Sequence, residues 1–324
     1  MSHPFDALSP DRILDAVEAI GLLPSGHVTA LNSYENRVYQ IGIEDADPLI
    51  AKFYRPGRWS DETILEEHDF SLELAAQEIP VIPPKVVENE SLFHFEGFRF
   101  AVFARRGGRA PDPGNLEQLE WIGRLMGRIH AVGRARSFQH RPKLDPTHFG
   151  QKARDIVVAS PLLPEEHKAR YSDLADHLLL QARQLFDAAS AEFIRIHGDC
   201  HIGNILWSET GPRFVDLDDC VSGPAIQDLW MLLNGDNETV QLQLHTLLEG
   251  YRTFCDFNPA ELTLIEPLRG LRLLHYTAWL AHRWDDPAFP LAFPWFGETR
   301  YWENHLRDLQ EQSQAIAESL YLEI

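Results

Sequence analysis

The sequence predicts an α+β chain, a small β-rich part followed by a larger helical one, and three observations carry the prediction. Between residues 28 and 104 the apolar residues come in short β-branched and aromatic runs divided by polar turns. Beyond Gly107 and Gly108 the apolar spacing becomes helical and stays so towards the C-terminus. One segment, 193–219, interrupts it with short apolar runs flanking polar, glycine-containing loops. The boundary is drawn as domains 1–104 and 105–324, and 324 residues, 44% of them hydrophobic, suffice for two cores.

The elements follow in order. Residues 11–22 read as an amphipathic helix, with Ile13, Leu14, Val17 and Ile20 on one side and a cap signal from Ser9 through Pro10. Residues 28–31, 37–43 and 49–54 read as an antiparallel meander. Ser60 caps a helix to about Gln77, which Pro80, Pro83 and Pro84 end. Two more strands are expected at 91–95 and 98–104. Helices are then predicted over 116–132, 164–189, 225–233, 240–254, 259–281 and 301–319.

Composition narrows the function. A formal charge of −20 repels nucleic-acid backbones and anionic lipid, which excludes a nucleic-acid partner; it suits a cationic substrate instead. No apolar run is long enough for a membrane span, residues 1–10 lack a signal-peptide layout, and the three scattered cysteines suit a reducing compartment. The expected location is the cytoplasm.

The densest cluster of reactive residues is His197-Gly198-Asp199-Cys200-His201-Ile202-Gly203-Asn204, followed by Phe214-Val215-Asp216-Leu217-Asp218-Asp219. Apolar runs around a polar loop make a strand–loop–strand platform carrying carboxylates and an amide. Phosphoryl transfer needs a carboxylate near the attacking hydroxyl, oxygen ligands for Mg²⁺ and a cation on the nucleotide phosphates, and this segment holds the first two.

These motifs resemble the aminoglycoside-phosphotransferase and protein-kinase-like superfamily, whose catalytic loop runs His-Gly-Asp-x-His-x-x-Asn. The resemblance implies a bilobal protein-kinase-like fold, with Asp199 as catalytic base, Asn204 as a Mg²⁺ ligand and Asp216 as the principal Mg²⁺ ligand. Asp218 and Asp219 rank second for the metal. Asp228, in Gln227-Asp228-Leu229-Trp230, matches the aspartate that braces the catalytic loop. Lys52, in Leu49-Ile50-Ala51-Lys52-Phe53, looks like the strand lysine that pairs with the ATP phosphates, and Glu67 like its ion-pair partner. Glu66 competes for that role, but Glu67 shares a helix face with Ile64, Ser71 and Leu74. The stretch 31–39 contains no glycine, so backbone amides and the Ser33 hydroxyl are expected to take over phosphate binding.

Residues 32–39, 64–68, 197–201, 215–219 and 227–236 further resemble a bacterial stress-response branch of that superfamily, over nearly the whole chain. That likeness implies a monomeric, Mg²⁺-dependent serine/threonine protein kinase using ATP. Against it, only eleven residues separate Asp216 from Asp228, too few for a long peptide-positioning segment, and Gly198 stands where an activation-loop-binding arginine would be. A small-alcohol kinase is therefore the alternative, and a nucleotide-binding scaffold the third reading. His197, Cys200 and His201 make a poor zinc site without a second ligand pair, and Cys200 reads as an inert thiol. The aromatic cluster of Trp279, Trp284, Trp295 and Trp302 with Phe289, Phe293 and Phe296 reads as core more than as substrate groove. Arg105, Arg106 and Arg109 fit an anion grip and a solvated turn equally.

Overall fold

The computed structural model describes residues 5–318. Ser319, the end of the expected last helix, and residues 1–4 of the stretch read for a signal peptide lie outside them. The fold is α+β, with an antiparallel five-stranded sheet near the N-terminus and helices after it. Two compact units are present. The first joins the chain up to Asp112 with residues 139–141 and 201–220; the second comprises Pro113–Phe138, Pro142–Cys200 and the chain from Val221 onward. Contacts therefore do not follow the single break at residue 104: the segment 201–220 joins the first unit because Phe214 accepts from Ile82 and donates to Pro80 through its backbone.

In the first unit helix α1 (Pro10–Glu18) is capped by the Ser9 side chain, which accepts from the Arg12 amide. It is shorter than the periodicity suggests because Gly21 turns into the left-handed region (φ +80°) just before β1 (Pro24–Ala30). Strands β2 (Arg37–Ile43), β3 (Ala46–Tyr54), β4 (Phe93–Phe95) and β5 (Phe98–Ala104) complete a sheet ordered β1-β2-β3-β5-β4. Helix α1 packs Ile13, Ala16 and Val17 against Ile41, Phe53 and Phe100 on one face. Side chains alternate along a strand, so Lys52, between Ala51 and Phe53, points with Tyr54 to the other face, where Ile64 of α2 (Asp61–Ala76) packs. Ser60 caps α2 as expected.

In the second unit α3 (Leu116–Arg134) lies against α7 (Asn237–Tyr251) through glycines: a Cβ on Gly127 would fall 2.4 Å from the Tyr251 carbonyl oxygen, and one on Gly250 2.2 Å from that of Glu120. A π-turn at Pro146–Gln151 leads into α4 (Lys152–Ala159), which the periodicity misses. Its signal is local: Asp145 caps the turn by accepting from the Thr147 and His148 amides, and Pro146 stands at its start. Then follow α5 (Glu165–Ala189) and β6 (Ile194–Ile196). Hairpin β7 (Ile205–Ser208) and β8 (Gly211–Phe214) belongs to the first unit; β9 (Val221–Gly223), paired with β6, belongs to the second. Helix α6 is only Ile226–Trp230, and α8 (Ile265–Arg283) starts late, after a 3-10 turn at Pro259–Leu264. Short α9 (Ala288–Ala292) and long α10 (Thr299–Glu318) complete it. Phe289, Phe296 and Trp302 are fully buried and belong to the core, Trp279, Trp284 and Phe293 are half-buried, and Trp295 is exposed.

Candidate active site

Hairpin β7–β8 sets the spacing of the two expected metal ligands. Ile205 pairs with Phe214, and one step outward the Val215 amide donates to the Asn204 carbonyl at 3.0 Å. Asn204 closes a short 3-10 turn whose start is capped by His201, the Nδ1 of which accepts from the Gly203 amide at 3.0 Å. Asp216 follows in the left-handed region (φ 59°), a conformation uncommon for non-glycine residues but better tolerated by Asp than by most. Its side chain is 57% exposed. The backbone pairing brings residues 204 and 215 together, and carboxylate and amide oxygens are ligand types that Mg²⁺ takes alongside water and phosphate.

Lys52 meets three carboxylates. Its Nζ lies 3.0 Å from Asp216 Oδ1, 3.2 Å from Asp218 Oδ1 and 3.7 Å from Glu67 Oε1. Burial alone would lower the Lys52 ammonium, but Asp216, Asp218 and Glu67 outweigh it and hold it well above the usual range. One ammonium cannot relieve three anions equally. Glu67 is pushed up to about 7 by burial, with Asp218 and Asp216 adding to the rise against Lys52 and Arg141. Asp218 is equally buried, yet Lys52, Arg58, Arg141 and a hydrogen bond from Asn36 together hold it far below the carboxylate range.

The sequence ranked Asp218 as a second candidate for the metal, but the structure gives its carboxylate a different set of partners. It is 3% exposed, accepts from Asn36 Nδ2 at 3.0 Å and forms an ion pair with Arg58, which also bonds Asp219. Arg141 Nη2 donates to the Asp218 carbonyl at 2.6 Å. Both guanidiniums lie over the Trp59 ring, at 5.0 and 5.1 Å from its centroid. Glu66, the other candidate partner of Lys52, turns away from it and accepts from the His140 and Arg141 amides at 2.8 and 2.9 Å and from that of Gln139. The two adjacent glutamates, about 100° apart around α2, thus have different main partners, Glu67 the lysine and Glu66 the amides of the strap that carries Arg141.

The glycine-free loop is held by Arg55, whose Nε donates to the Glu35 carbonyl and Nη2 to that of Tyr34. Ser33 Oγ donates to the Asn36 carbonyl at 3.1 Å, closing the turn. Arg109 exchanges backbone hydrogen bonds with Trp207, so the basic stretch is tied to the hairpin through its main chain.

In the second unit, Asp228 is completely buried and accepts from the His197 and Gly198 amides at 2.7 and 2.8 Å, while His130 Nε2 lies 3.0 Å away. Gly198 has a positive φ of 84°, which leaves both amides facing that carboxylate. Gln227 Nε2 donates to the Gly198 carbonyl at 3.0 Å. Asp199 therefore leaves a clamped backbone, 28% exposed, and accepts from Arg272 Nη1 at 2.8 Å. Cys200 behind it is fully buried, and burial, Asp228 and Asp199 all raise its thiol well above the ordinary value, as an inert thiol requires.

The sequence matches the model of the phosphotransferase enzyme family (APH) over residues 27–265. The chain belongs to that family. It is 45% identical over 314 residues to stress response kinase A of Escherichia coli O157:H7, covering 97% of this chain and 95% of that protein. It is 44% identical, with the same coverage, to serine/threonine protein kinase RdoA of Salmonella typhimurium (strain LT2). Among solved structures it is similar to the amicoumacin kinase hAmiN in complex with AMP-PNP, Ca²⁺ and Ami (TM-score 0.71, 18% identity, 96% of this chain and 94% of that one). A microcompartment-associated aminopropanol kinase also matches, at TM-score 0.69 and 16% identity over 95% and 97% of the two chains. These last two likenesses are of fold. Among the described residues no helix is long and apolar enough to cross a membrane.

The family motifs pointed to Lys52, Glu67, Asp199, Asn204, Asp216 and Asp228. Arg58, Arg141, Asn36 and Arg272 were missed. For Arg272 a signal existed, because Arg269, Arg272, Leu273 and Tyr276 share a face at helical spacing.

Proposed function

We propose that the protein is an ATP- and Mg²⁺-dependent serine/threonine protein kinase of a bacterial stress response, acting as a monomer in the cytoplasm. The observation that carries the chemistry is Lys52, buried and fixed by Glu67 and Asp216, so that a cation is already aimed where phosphates need one. The protein acceptor is supported by the whole-length likeness to proteins named as stress response and serine/threonine kinases.

Asp199 orients the acceptor hydroxyl and takes its proton as the acceptor oxygen bonds to the γ-phosphorus and the bond to ADP breaks. Lys52 neutralises the phosphates, Glu67 holds Lys52 in place, and Ser33 with the amides of its loop would bind them. Asn204 and Asp216 would hold the Mg²⁺, which when bound neutralises charge on the β- and γ-phosphates. Asp228 and Gln227 keep Asp199 in position by fixing the peptide before it.

The short interval between Asp216 and Asp228 favours a second reading, a kinase of small alcohols. Transfer of γ-labelled phosphate from Mg-ATP to a cell protein extract and to a panel of small alcohols separates the two. Label on proteins that falls by about 10²–10⁴ in Asp199→Asn supports the first reading. Label confined to a small alcohol replaces it with the second, and near-normal turnover in Asp199→Asn removes that residue from the mechanism.

A further inference from the structure

An open cavity of ≈ 410 Å³ on the surface of the second unit is lined by Trp230, Arg269, Arg272, Leu273, Tyr276 and Gln312. Its size is that of a binding pocket for a few side chains. Four of these residues form the exposed stripe of α8, while Leu268, Leu271 and Leu274 bury the opposite side of that helix. The cavity is joined to the catalytic loop twice, through Arg272 to Asp199 and through Trp230, whose Nε1 donates to Gln227 Oε1, itself bonded to Gly198.

Charge decides what the cavity takes. Its lining holds two guanidiniums and no carboxylate. Two carboxylates beside it are engaged: Glu266 accepts from Arg269 Nη1 at 2.7 Å and from Gln312 Nε2 at 2.7 Å, and Asp199 from Arg272 at 2.8 Å. Arg269 also stacks over Trp230 at 5.5 Å, which holds its planar fork against one wall. Arg272 is 47% exposed on its side chain and bonds Asp199 and, weakly, the Met231 sulfur through Nη1 alone, so its other N–H donors have no partner among the described residues. A guanidinium has five donors in a fork that suits carboxylate and phosphate oxygens. A cationic amino-alcohol entering here finds these two carboxylates already paired, whereas an anion finds the remaining guanidinium donors of Arg272.

We propose that this cavity receives an anionic group of the acceptor, a carboxylate or a phosphate, with Arg272 and Arg269 as its ligands. Arg272 is then a specificity-determining residue that divides itself between the base and the incoming anion, drawing away from Asp199 as an acidic acceptor arrives. The inference rests on the protein-kinase reading and deepens it. Arg272 touches Asp199, so the anion belongs within about two residues of the acceptor serine or threonine, each residue of extended peptide spanning roughly 3.3–3.6 Å.

The test is kcat and KM on serine peptides that carry Glu, phosphoserine, Ala or Lys at each of the two positions on either side of the acceptor. At one of these positions the Glu or the phosphoserine peptide should exceed the Ala peptide by about tenfold in kcat/KM, mostly through KM, with Lys poorest. In Arg272→Gln, and in Arg269→Gln as a second variant should the first fail to fold, the preference should shrink to about twofold or less. The Glu and phosphoserine arms tell a carboxylate from a phosphate. Equal rates on all peptides, a preference for Lys, or an acidic preference untouched in both variants overturns the proposal while leaving the kinase reading in place. No label on any peptide, from enzyme that still binds Mg-ATP, overturns the protein-kinase reading and this proposal with it.

Discussion

Asn36 Nδ2 donates to Asp218 Oδ2 across 3.0 Å, joining residues 182 positions apart. The bond ties the glycine-free loop after β1 to the segment that begins at Asp216, and Asn36 Oδ1 at the same time accepts from the Arg55 amide at 3.1 Å. Loop, lysine and the segment from Asp216 are thus one hydrogen-bonded assembly within the first unit. Removing Asp218 leaves Arg58 and Lys52 buried with less compensating charge, a change that costs about 3–5 kcal/mol where a buried pair loses one partner. Asp218→Ala should lower the urea midpoint accordingly, and Asn36→Ala should lower it less. A drop no larger than that of an exposed-carboxylate control shows Asp218 to be a solvated ligand after all.

Glu67 makes the assembly sensitive to pH. Its folded-state pKa is raised from 4.5 to about 7, so the folded protein holds a proton that the unfolded chain releases earlier. That contribution to stability is fully present below about pH 4.5 and is lost as pH rises through about 7. Catalysis runs the other way, because only ionised Glu67 braces the Lys52 ammonium. The kcat/KM profile should fall on the acid side of about pH 7, and Glu67→Gln should flatten that limb while reducing the plateau. An unchanged limb in the variant assigns it to another group.

His68 works in the opposite sense on stability. Burial lowers it from 6.5 to about 3, assisted by Lys52 and Arg141, and its ring lies between Tyr54 Oη at 2.7 Å and Ser91 Oγ at 2.9 Å. A depressed histidine stabilises the fold above its unfolded value and loses that contribution as pH falls from about 6.5 towards 3. Denaturation at pH 7 and pH 4.5 should show a smaller acid loss in His68→Gln than in the parent; equal losses exclude His68 as a source.

The packing of α3 on α7 can be weighed directly. Alanine at position 127 gains about 1 kcal/mol of helix propensity over glycine. Its Cβ would stand 2.4 Å from the Tyr251 carbonyl oxygen, on backbone that cannot rotate away. Overpacking costs about 1–3 kcal/mol, so the net expectation for Gly127→Ala is destabilisation, read as a lower melting temperature. A higher one would mean that the two helices separate without penalty.

Glu66 anchors three consecutive amides, and Glu66→Ala should speed amide hydrogen exchange at Gln139, His140 and Arg141 selectively. Stability should fall by about 1.5–3 kcal/mol, the scale of hydrogen bonds to a charged group. Uniform exchange rates before and after would show that the strap is held by other means.

Much of this protein was legible in its sequence because the relevant information is local. A strand lysine, a helix glutamate on the inward face, and the residues of one polar loop each appear within a few positions of the pattern that defines them, and Ser9 and Ser60 cap the helices that their neighbours predict. Hydrogen bonds along the chain decide such features, so periodicity and spacing suffice. Tertiary structure decided the rest. Whether Asp218 is a solvated ligand or a buried anion depends on Asn36, Arg58 and Lys52, and whether the surroundings of Asp199 attract cations or anions depends on Arg272. These partners lie 73 to 182 residues away in the chain. Electrostatic interactions act through space and grow as water is excluded, so the charge that matters at the site is set by what the fold brings within a few ångströms and not by the total of −20.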